Sequence, residues 1–383
     1  MSYSQMNLEK YTNCKRISDF KCSKEIFVLL ELEESEDENV RVIDENIDNN
    51  IILIHYIIPT ENNRNIRGVI IDIEKEDNPR ICCPTFSFTQ DLDINDEKVK
   101  NIDFTKDLIV SNAGEGTILR MFYKNQWFIS TFKKIDGTRS RWSGGTFGDS
   151  FYKAWGDVLF KDILNTGCAY SFLLSDPSTR LACKIDTLKL TLVAIHTIFA
   201  NKMIRCLGIK ILNDNVIDNS IYSVNSYEEL NSLVSRLDWQ DTTGLLIIDP
   251  ENTRECIKVL APGYLEKRNI RGSQPNLSMR YYEMMKLGTQ QELLDLYPEY
   301  TELFNNCKEN YNKLPSYLES FYKIRYIDKK FLKLPQEQFY VLRNVHTEYD
   351  FNETLEENIR TKLLGSNPRQ INAMIKQMNG LVK

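Results

Sequence analysis

The chain has 383 residues, a length that favours two domains over a single core. Hydrophobic residues make up 42% and charged residues 27%, which excludes collagenous, coiled-coil and wholly disordered classes. A formal net charge of -6 excludes a protein that coats nucleic acid non-specifically, because such proteins release counterions through many Lys and Arg, so any nucleic-acid contact must be local.

The nine cysteines lack zinc-type pairing; Cys82 and Cys83 are adjacent, and Cys14 and Cys22 lie too far apart. Reduced thiols in an intracellular protein are the expectation. Met1 to Lys10 is polar and no apolar run approaches the roughly 20 residues of a membrane span, so a soluble, cytoplasmic protein with no membrane partner is expected.

In chain order, β-branched and aromatic runs predict strands over Ile26 to Leu32, Ile51 to Ile58, Ile66 to Ile73, Asp107 to Asn112, Thr117 to Tyr123, Trp127 to Phe132, Tyr170 to Leu174, Leu181 to Ile185, Leu188 to Phe199, Met203 to Leu212 and Gly244 to Ile248. The acidic, Asn-rich stretch Glu31 to Asn50 reads as a solvated loop. Helices are expected over Phe147 to Leu164 and, opened by Ser226, over Tyr227 to Leu237. After Gly272 the spacing turns helical over Met279 to Met285, Gln291 to Leu296, Tyr300 to Tyr311, Leu314 to Ile327, Glu337 to Asn344, Leu355 to Leu364 and Arg369 to Leu381. The expectation is an α+β domain over 1–272, dominated by antiparallel pairing, and an all-helical C-terminal domain over 273–383.

Covalent nucleotidyltransferases attack an α-phosphate with a lysine, and need carboxylates for metal and ribose and cations for the phosphates. Lys134-Ile135-Asp136-Gly137-Thr138-Arg139 matches the Lys-x-Asp-Gly-x-Arg signature of DNA ligases and mRNA capping guanylyltransferases, with Lys134 as the nucleophile on that reading. The alternative is a polar turn after the strand ending at Phe132, since Asp-Gly is a turn dipeptide and Ser140 to Gly145 is ill suited to the strand that should follow.

A second register accounts for more of the chain. Ile66-Arg67-Gly68-Val69-Ile70-Ile71-Asp72 followed by Cys83-Pro84-Thr85-Phe86-Ser87-Phe88, then Ala113-Gly114-Glu115-Gly116-Thr117-Ile118-Leu119-Arg120, then Phe172 to Leu181 with Pro177 and Arg180, and finally Thr243-Gly244-Leu245-Leu246 with Cys256-Ile257-Lys258-Val259, stand in the order of the motif strands of bacteriophage-type ATP-dependent RNA ligases. The chain resembles that family, in a divergent form such as those of large DNA viruses, over about residues 50 to 272. The resemblance implies an antiparallel-sheet, RNA ligase-like nucleotidyltransferase domain with nucleotide-binding residues Arg67, Glu115, Gly116, Arg120, Arg180 and Lys258, and an exit helix over Tyr264 to Gly272.

Four positions depart from the family pattern: Ala113 stands where the nucleophilic lysine belongs, Leu173 and Thr243 replace glutamates, and Leu260 replaces a second lysine. An alanine forms no phosphoramidate, and without those carboxylates little remains to hold magnesium. A migrated nucleophile, Lys133 or Lys134 reaching across from the neighbouring strand with Glu115 as carboxylate, is the route by which chemistry would survive.

Taken singly, Arg67, Arg120, Arg180 and Lys258 read as strand-end ion pairs; taken together they suggest a shared anion site. His55 and His196 read as core histidines, and neither a metal site nor a Ser-His-Asp array is expected. Basic and aromatic residues interleave at Lys133-Lys134, Arg139, Arg141-Trp142, Lys153 and Trp155, a composition suited to RNA, although core packing of Trp142 and Trp155 is favoured. The leading expectation is a binder of RNA or nucleotide with degenerate ligase chemistry, in host cytoplasm or virion if viral. The runners-up are an active RNA ligase or capping guanylyltransferase using Lys134 with ATP and Mg2+, and an assembly protein whose C-terminal helices contact a protein partner.

Overall fold

Successive side chains of a strand point to opposite faces, and the chain lays its strands into three sheets, with strands such as Ile51–Tyr56 buried along their whole length. The computed structural model describes residues 11, 13–85, 89–142, 145–198, 202–204, 216–218, 220–249 and 256–380. Contacts divide the chain into two compact units, Met1–Leu265 and Glu266–Lys383, with the division inside the helix Tyr264–Arg271.

The first sheet is a fully antiparallel meander of β1 (Val40–Asn46), β2 (Ile51–Tyr56), β3 (Arg67–Asp72) and β4 (Arg80–Cys83). There follow β5 (Gln90–Leu92), β6 (Ile109–Ala113), β7 (Thr117–Lys124), β8 (Gln126–Ser130), β9 (Cys168–Ser175), β10 (Lys189–Thr197), β11 (Lys202–Ile204), β12 (Val216–Asp218), β13 (Ile221–Tyr222), β14 (Gly244–Ile248) and β15 (Cys256–Leu260). The second sheet runs β11-β10-β9-β7-β8, with β12 joining β10 in parallel; the third runs β13-β6-β14-β15-β5, with β5 parallel to β15. All other pairings are antiparallel, so the unit is α+β with mainly antiparallel sheets.

Alternation sends Leu119, Met121, Tyr170, Phe172 and Leu174 to one face of the second sheet, where Phe151 and Trp155 of the helix Phe147–Trp155 cover them. Phe122 and Phe128 point the other way and stack at 5.2 Å in a core shared with Leu53, Ile70 and Cys83 of the first sheet. On the third sheet Val110, Leu245, Ile247 and Val259 pack under Leu230 and Val234 of the helix Tyr227–Val234. The remaining faces of the second and third sheets meet at Ala194, Ile248 and Cys256. Thr146 and Ser226 cap the two helices by accepting from the backbone N–H of Asp149 and Glu229.

Several elements differ from the sequence expectation. Ile26 to Leu32 belongs to the helix Ser23–Leu29, whose Ile26 and Phe27 pack on the first sheet; a short apolar run does not by itself distinguish helix from strand. Within the supposed acidic loop, Val40 and Val42 are buried and form β1 with Ile54 and Tyr56 opposite. Even Asp37 of the acid run is buried, accepting from Ser18 N and Oγ. The helix from Phe147 ends at Trp155 because Gly156 turns to φ 79°, and Leu181 to Ile185 joins no sheet. The predicted strand Met203 to Leu212 falls partly outside the described residues, as do Phe86 to Phe88.

The second unit is helical throughout: Leu277–Leu287, Gln290–Leu296, Thr301–Tyr322, Gln336–Thr347, Leu355–Gly365 and Pro368–Met378. Helix Thr301–Tyr322 runs unbroken through the buried Pro315, which merges two segments that the sequence pattern separates. Reciprocal capping boxes, Thr354 with Glu357 and Asn367 with Gln370, open the last two helices, and Pro368 occupies a first-turn position where its missing N–H costs nothing.

Candidate functional site

Between the second and third sheets lies a cavity of about 590 Å3. Strand alternation decides its lining: Ala113 ends β6, Leu173 and Ser175 face it from β9, Thr191 from β10, Leu246 from β14 and Lys258 from β15. Arg67, Lys184 and Lys189 add cations to the lining and Phe132 an aromatic ring, with Asp91, Glu115 and Asp241 as its carboxylates.

The Glu115 carboxylate is buried and accepts from the backbone N–H groups of three successive residues: Leu181, Ala182 at 2.8 Å and Cys183 at 3.1 Å. The Tyr264 hydroxyl donates a further bond at 3.1 Å. These N–H groups would otherwise be orphaned near the interior, which is why 181–185 is a turn held to Glu115 rather than a strand. The Glu115 backbone carbonyl accepts from Ser175 Oγ at 2.7 Å, tying the same residue to β9. Gly116 makes the close approach possible, since a Cβ there would stand 2.2 Å from the Leu174 carbonyl oxygen.

Ala113 is locked by its carbonyl, which accepts from Thr243 N at 3.0 Å, from Thr242 Oγ1 at 3.2 Å and from Thr243 Oγ1. Thr243 is itself buried, so this end of β14 is stitched to β6. Lys258 meets Asp91 at 2.7 Å, with both side chains about a quarter exposed. The pairing follows from the parallel register that sets β5 beside β15 with Lys258 opposite Asp91.

The Arg67 guanidinium lies 4.3 Å from the centre of the Phe132 ring, and Arg120 lies 5.1 Å from the same ring. Arg120 is completely buried and directs its donors to Gly68 O at 2.5 Å and Thr131 O at 2.6 Å. Burial pulls its pKa below the ordinary arginine range, partly offset by Cys83, with Arg67 pulling the same way as burial. Gly68, at φ 81°, admits the Phe132 backbone, because a Cβ would stand 2.3 Å from Phe132 O.

Of the residues singled out in the sequence, Arg67, Glu115, Gly116 and Lys258 line one cavity, and Ala113 and Leu173 line it with them. Arg120 and Arg180 do not; Arg120 is a buried strut between β3 and the Thr131 backbone, and Arg180 donates to Ala182 O and Cys183 O at 3.4 and 3.3 Å. Lys134 lies elsewhere, 3.3 Å from the buried Asp44 carboxylate, which also accepts from Arg139 and from the Ile135 N–H. Asp136 caps the turn at Thr138 N, so Lys134 to Arg139 forms the polar turn that was the alternative to a signature.

Lys184, Lys189, Phe132 and Asp91 escaped the sequence reading. Phe132 closes a predicted strand and Lys189 is the second residue of another, so inward alternation was the available signal; the Asp91 pairing is long-range and leaves no local trace. The thiols at the cavity are poor nucleophiles, since burial, with Glu115 close by, raises the Cys183 pKa, and burial pushes Cys256 up to about 11.

The donor set does not fit a catalytic magnesium. Glu115 already accepts four hydrogen bonds, Asp91 is paired with Lys258, Asp241 is solvent-exposed, and Leu173 and Thr243 offer no carboxylate. Among the described residues no group of three or more His, Cys, Asp or Glu is placed to hold a metal ion, and no helix is long and apolar enough to cross a membrane.

No family model matches the chain. It is 26% identical over 210 residues to the immediate-early protein ICP-46 of Frog virus 3 (isolate Goorha), covering 49% of this chain and 52% of that protein. It is 24% identical over 208 residues to the ICP-46 homologue of Invertebrate iridescent virus 3, covering 51% and 45%. The chain thus spans about half the length of the curated relatives it matches. Among solved structures, two archaeal ATP-dependent RNA ligase forms are similar at 10% identity, with TM-scores of 0.43 (form 2; 77% of this chain, 79% of that one) and 0.41 (form 1; 92% and 76%). Scores of this size do not by themselves establish a common fold.

Proposed function

We propose that the unit Met1–Leu265 is an RNA ligase-like nucleotidyltransferase domain that binds a nucleoside phosphate, free or at the end of an RNA, without covalent nucleotidyl transfer. The observation that carries this reading is that one cavity is lined by the cations Arg67 and Lys258 together with Ala113 and Leu173, the residues that the family resemblance sets in place of the nucleophile and a carboxylate. Phosphate oxygens would bind Arg67 and Lys258 by charge-assisted hydrogen bonds, with Lys184 and Lys189 adding positive potential. Phe132 beneath the Arg67 guanidinium limits its motion, which lowers the entropy lost on binding. ATP or GTP is thus a ligand here rather than a co-substrate, and the reading contains no magnesium step. The viral origin of the two ICP-46 relatives supports a place of action in host-cell cytoplasm.

The test pairs two assays on the same preparation. Incubation with α-labelled ATP or GTP and Mg2+, followed by a denaturing gel, should leave the protein band unlabelled. Native filter binding of the same nucleotide should be retained and fall about tenfold or more in Lys258→Ala or Arg67→Ala. A labelled band abolished by Lys134→Ala would establish the competing reading of an active nucleotidyltransferase, and loss of neither signal in the variants would remove the cavity from consideration.

A further inference from the structure

We infer that the connection between helices Thr301–Tyr322 and Gln336–Thr347 is a docking surface for single-stranded RNA, separate from the cavity and independent of it. Phe331 is 91% exposed, which no packing requirement of the helical unit explains. It sits in Lys329-Lys330-Phe331-Leu332-Lys333, where the three lysines are exposed and only Lys330, 3.6 Å from Asp328, has an ion pair among the described residues.

The loop is held, not loose. Helix Thr301–Tyr322 ends in a π turn over Lys323–Ile327, a geometry found often at functional sites. Asp328 N and Lys330 N donate back to the Lys323 and Ile324 carbonyls at 2.8 and 3.0 Å, and Lys329 takes φ 53° to reverse the chain. Arg325 donates to Leu332 O at 2.8 Å and lies 5.0 Å from the centre of the Phe339 ring. Tyr326 stacks on the exposed His346 at 4.2 Å, which places a second partly exposed aromatic pair on elements joined to the same loop.

Fixed π-faces among exposed lysines suit unstacked bases with phosphates on either side. Duplexes hide their base faces, so the single strand is the partner that uses Phe331. A membrane surface suits the segment less well, because Asp328 and three lysines interrupt Ile327, Phe331 and Leu332 and leave no continuous apolar face to bury.

The experiment is fluorescence anisotropy of a fluorescein-labelled 12-nucleotide oligouridylate titrated with the full chain. Phe331→Ala should weaken binding about tenfold and Phe331→Trp should restore it, with unchanged melting temperatures because the side chain is exposed. Replacing Lys329 and Lys330 together with Ala should lower the slope of log K against log salt by about 1.4, roughly 0.7 for each phosphate left without its lysine. In saturating ATP, which fills the cavity, Phe331→Ala should show the same loss of oligonucleotide binding, which separates this surface from the cavity. The inference is overturned if the wild type does not bind, if Phe331→Ala binds within twofold of it, or if phosphatidylserine vesicles compete the RNA away through Phe331.

Discussion

The Tyr264 hydroxyl and the Leu181–Cys183 backbone converge on the two oxygens of Glu115, so that a residue at the start of the helix Tyr264–Arg271 and a turn after β9 are held by one carboxylate. Glu115 has thus become an internal anchor. Its replacement should act on stability before it acts on binding. Glu115→Ala leaves three successive N–H groups near the interior without an acceptor and should lower unfolding free energy by about 3–5 kcal/mol. Glu115→Gln keeps one oxygen and turns an amide donor toward the N–H groups, so an intermediate loss of about 2–3 kcal/mol is expected. Urea melts monitored by circular dichroism measure both; a neutral Glu115→Ala would show that the carboxylate is free for other work.

The turn after β8 makes a contrasting prediction. Asp44 is buried and serves Ile135 N, Lys134 and Arg139, whereas the Lys134 side chain is 34% exposed. Lys134→Ala should cost no more than about 1 kcal/mol, since solvent screens a partly exposed pair, and should leave nucleotide affinity unchanged. Asp44→Ala removes the acceptor of a buried N–H and should cost about 2–3 kcal/mol. A Lys134→Ala variant that folds normally but loses nucleotide would return this lysine to the chemistry.

Acid should destabilise the first unit through its histidines. Burial, assisted by Lys133, Arg67 and Arg120, lowers the His55 pKa to about 3, and burial, assisted by Arg120, lowers His196 to about 4. The unfolded chain binds these protons near pH 6.5 and the folded one does not, so stability is full above pH 6.5 and falls as pH drops toward 3–4, with a slope of about 1.4 kcal/mol per pH unit for each histidine. Replacing His55 with Phe, which preserves the stacking on Tyr56 at 4.6 Å, should reduce that slope by one proton in melts run from pH 7 to 4. An unchanged slope would mean that His55 is protonated in the fold.

The cavity's strands were legible because a run of β-branched and aromatic residues is a local property: the segments over Thr117–Lys124, Cys168–Ser175 and Gly244–Ile248 announce their conformation. The fate of each charge was not. Whether Arg120 would face a ligand or become a strut depended on Gly68 and Thr131 carbonyls brought up by other strands, and whether Glu115 would hold metal or backbone depended on a turn 66 or more residues away. The Lys134 motif shows the opposite hazard, since six consecutive residues satisfy a signature while Asp44, 90 positions earlier, holds them in a turn.

The central claim, that this cavity binds a nucleoside phosphate through its own cations and without a metal, is tested most directly by calorimetric titration of ATP into the full chain in EDTA. Binding that persists in EDTA and is abolished in the Arg67→Ala, Lys258→Ala double variant is the expected result. Binding that requires added Mg2+, or that survives the double variant, would contradict it.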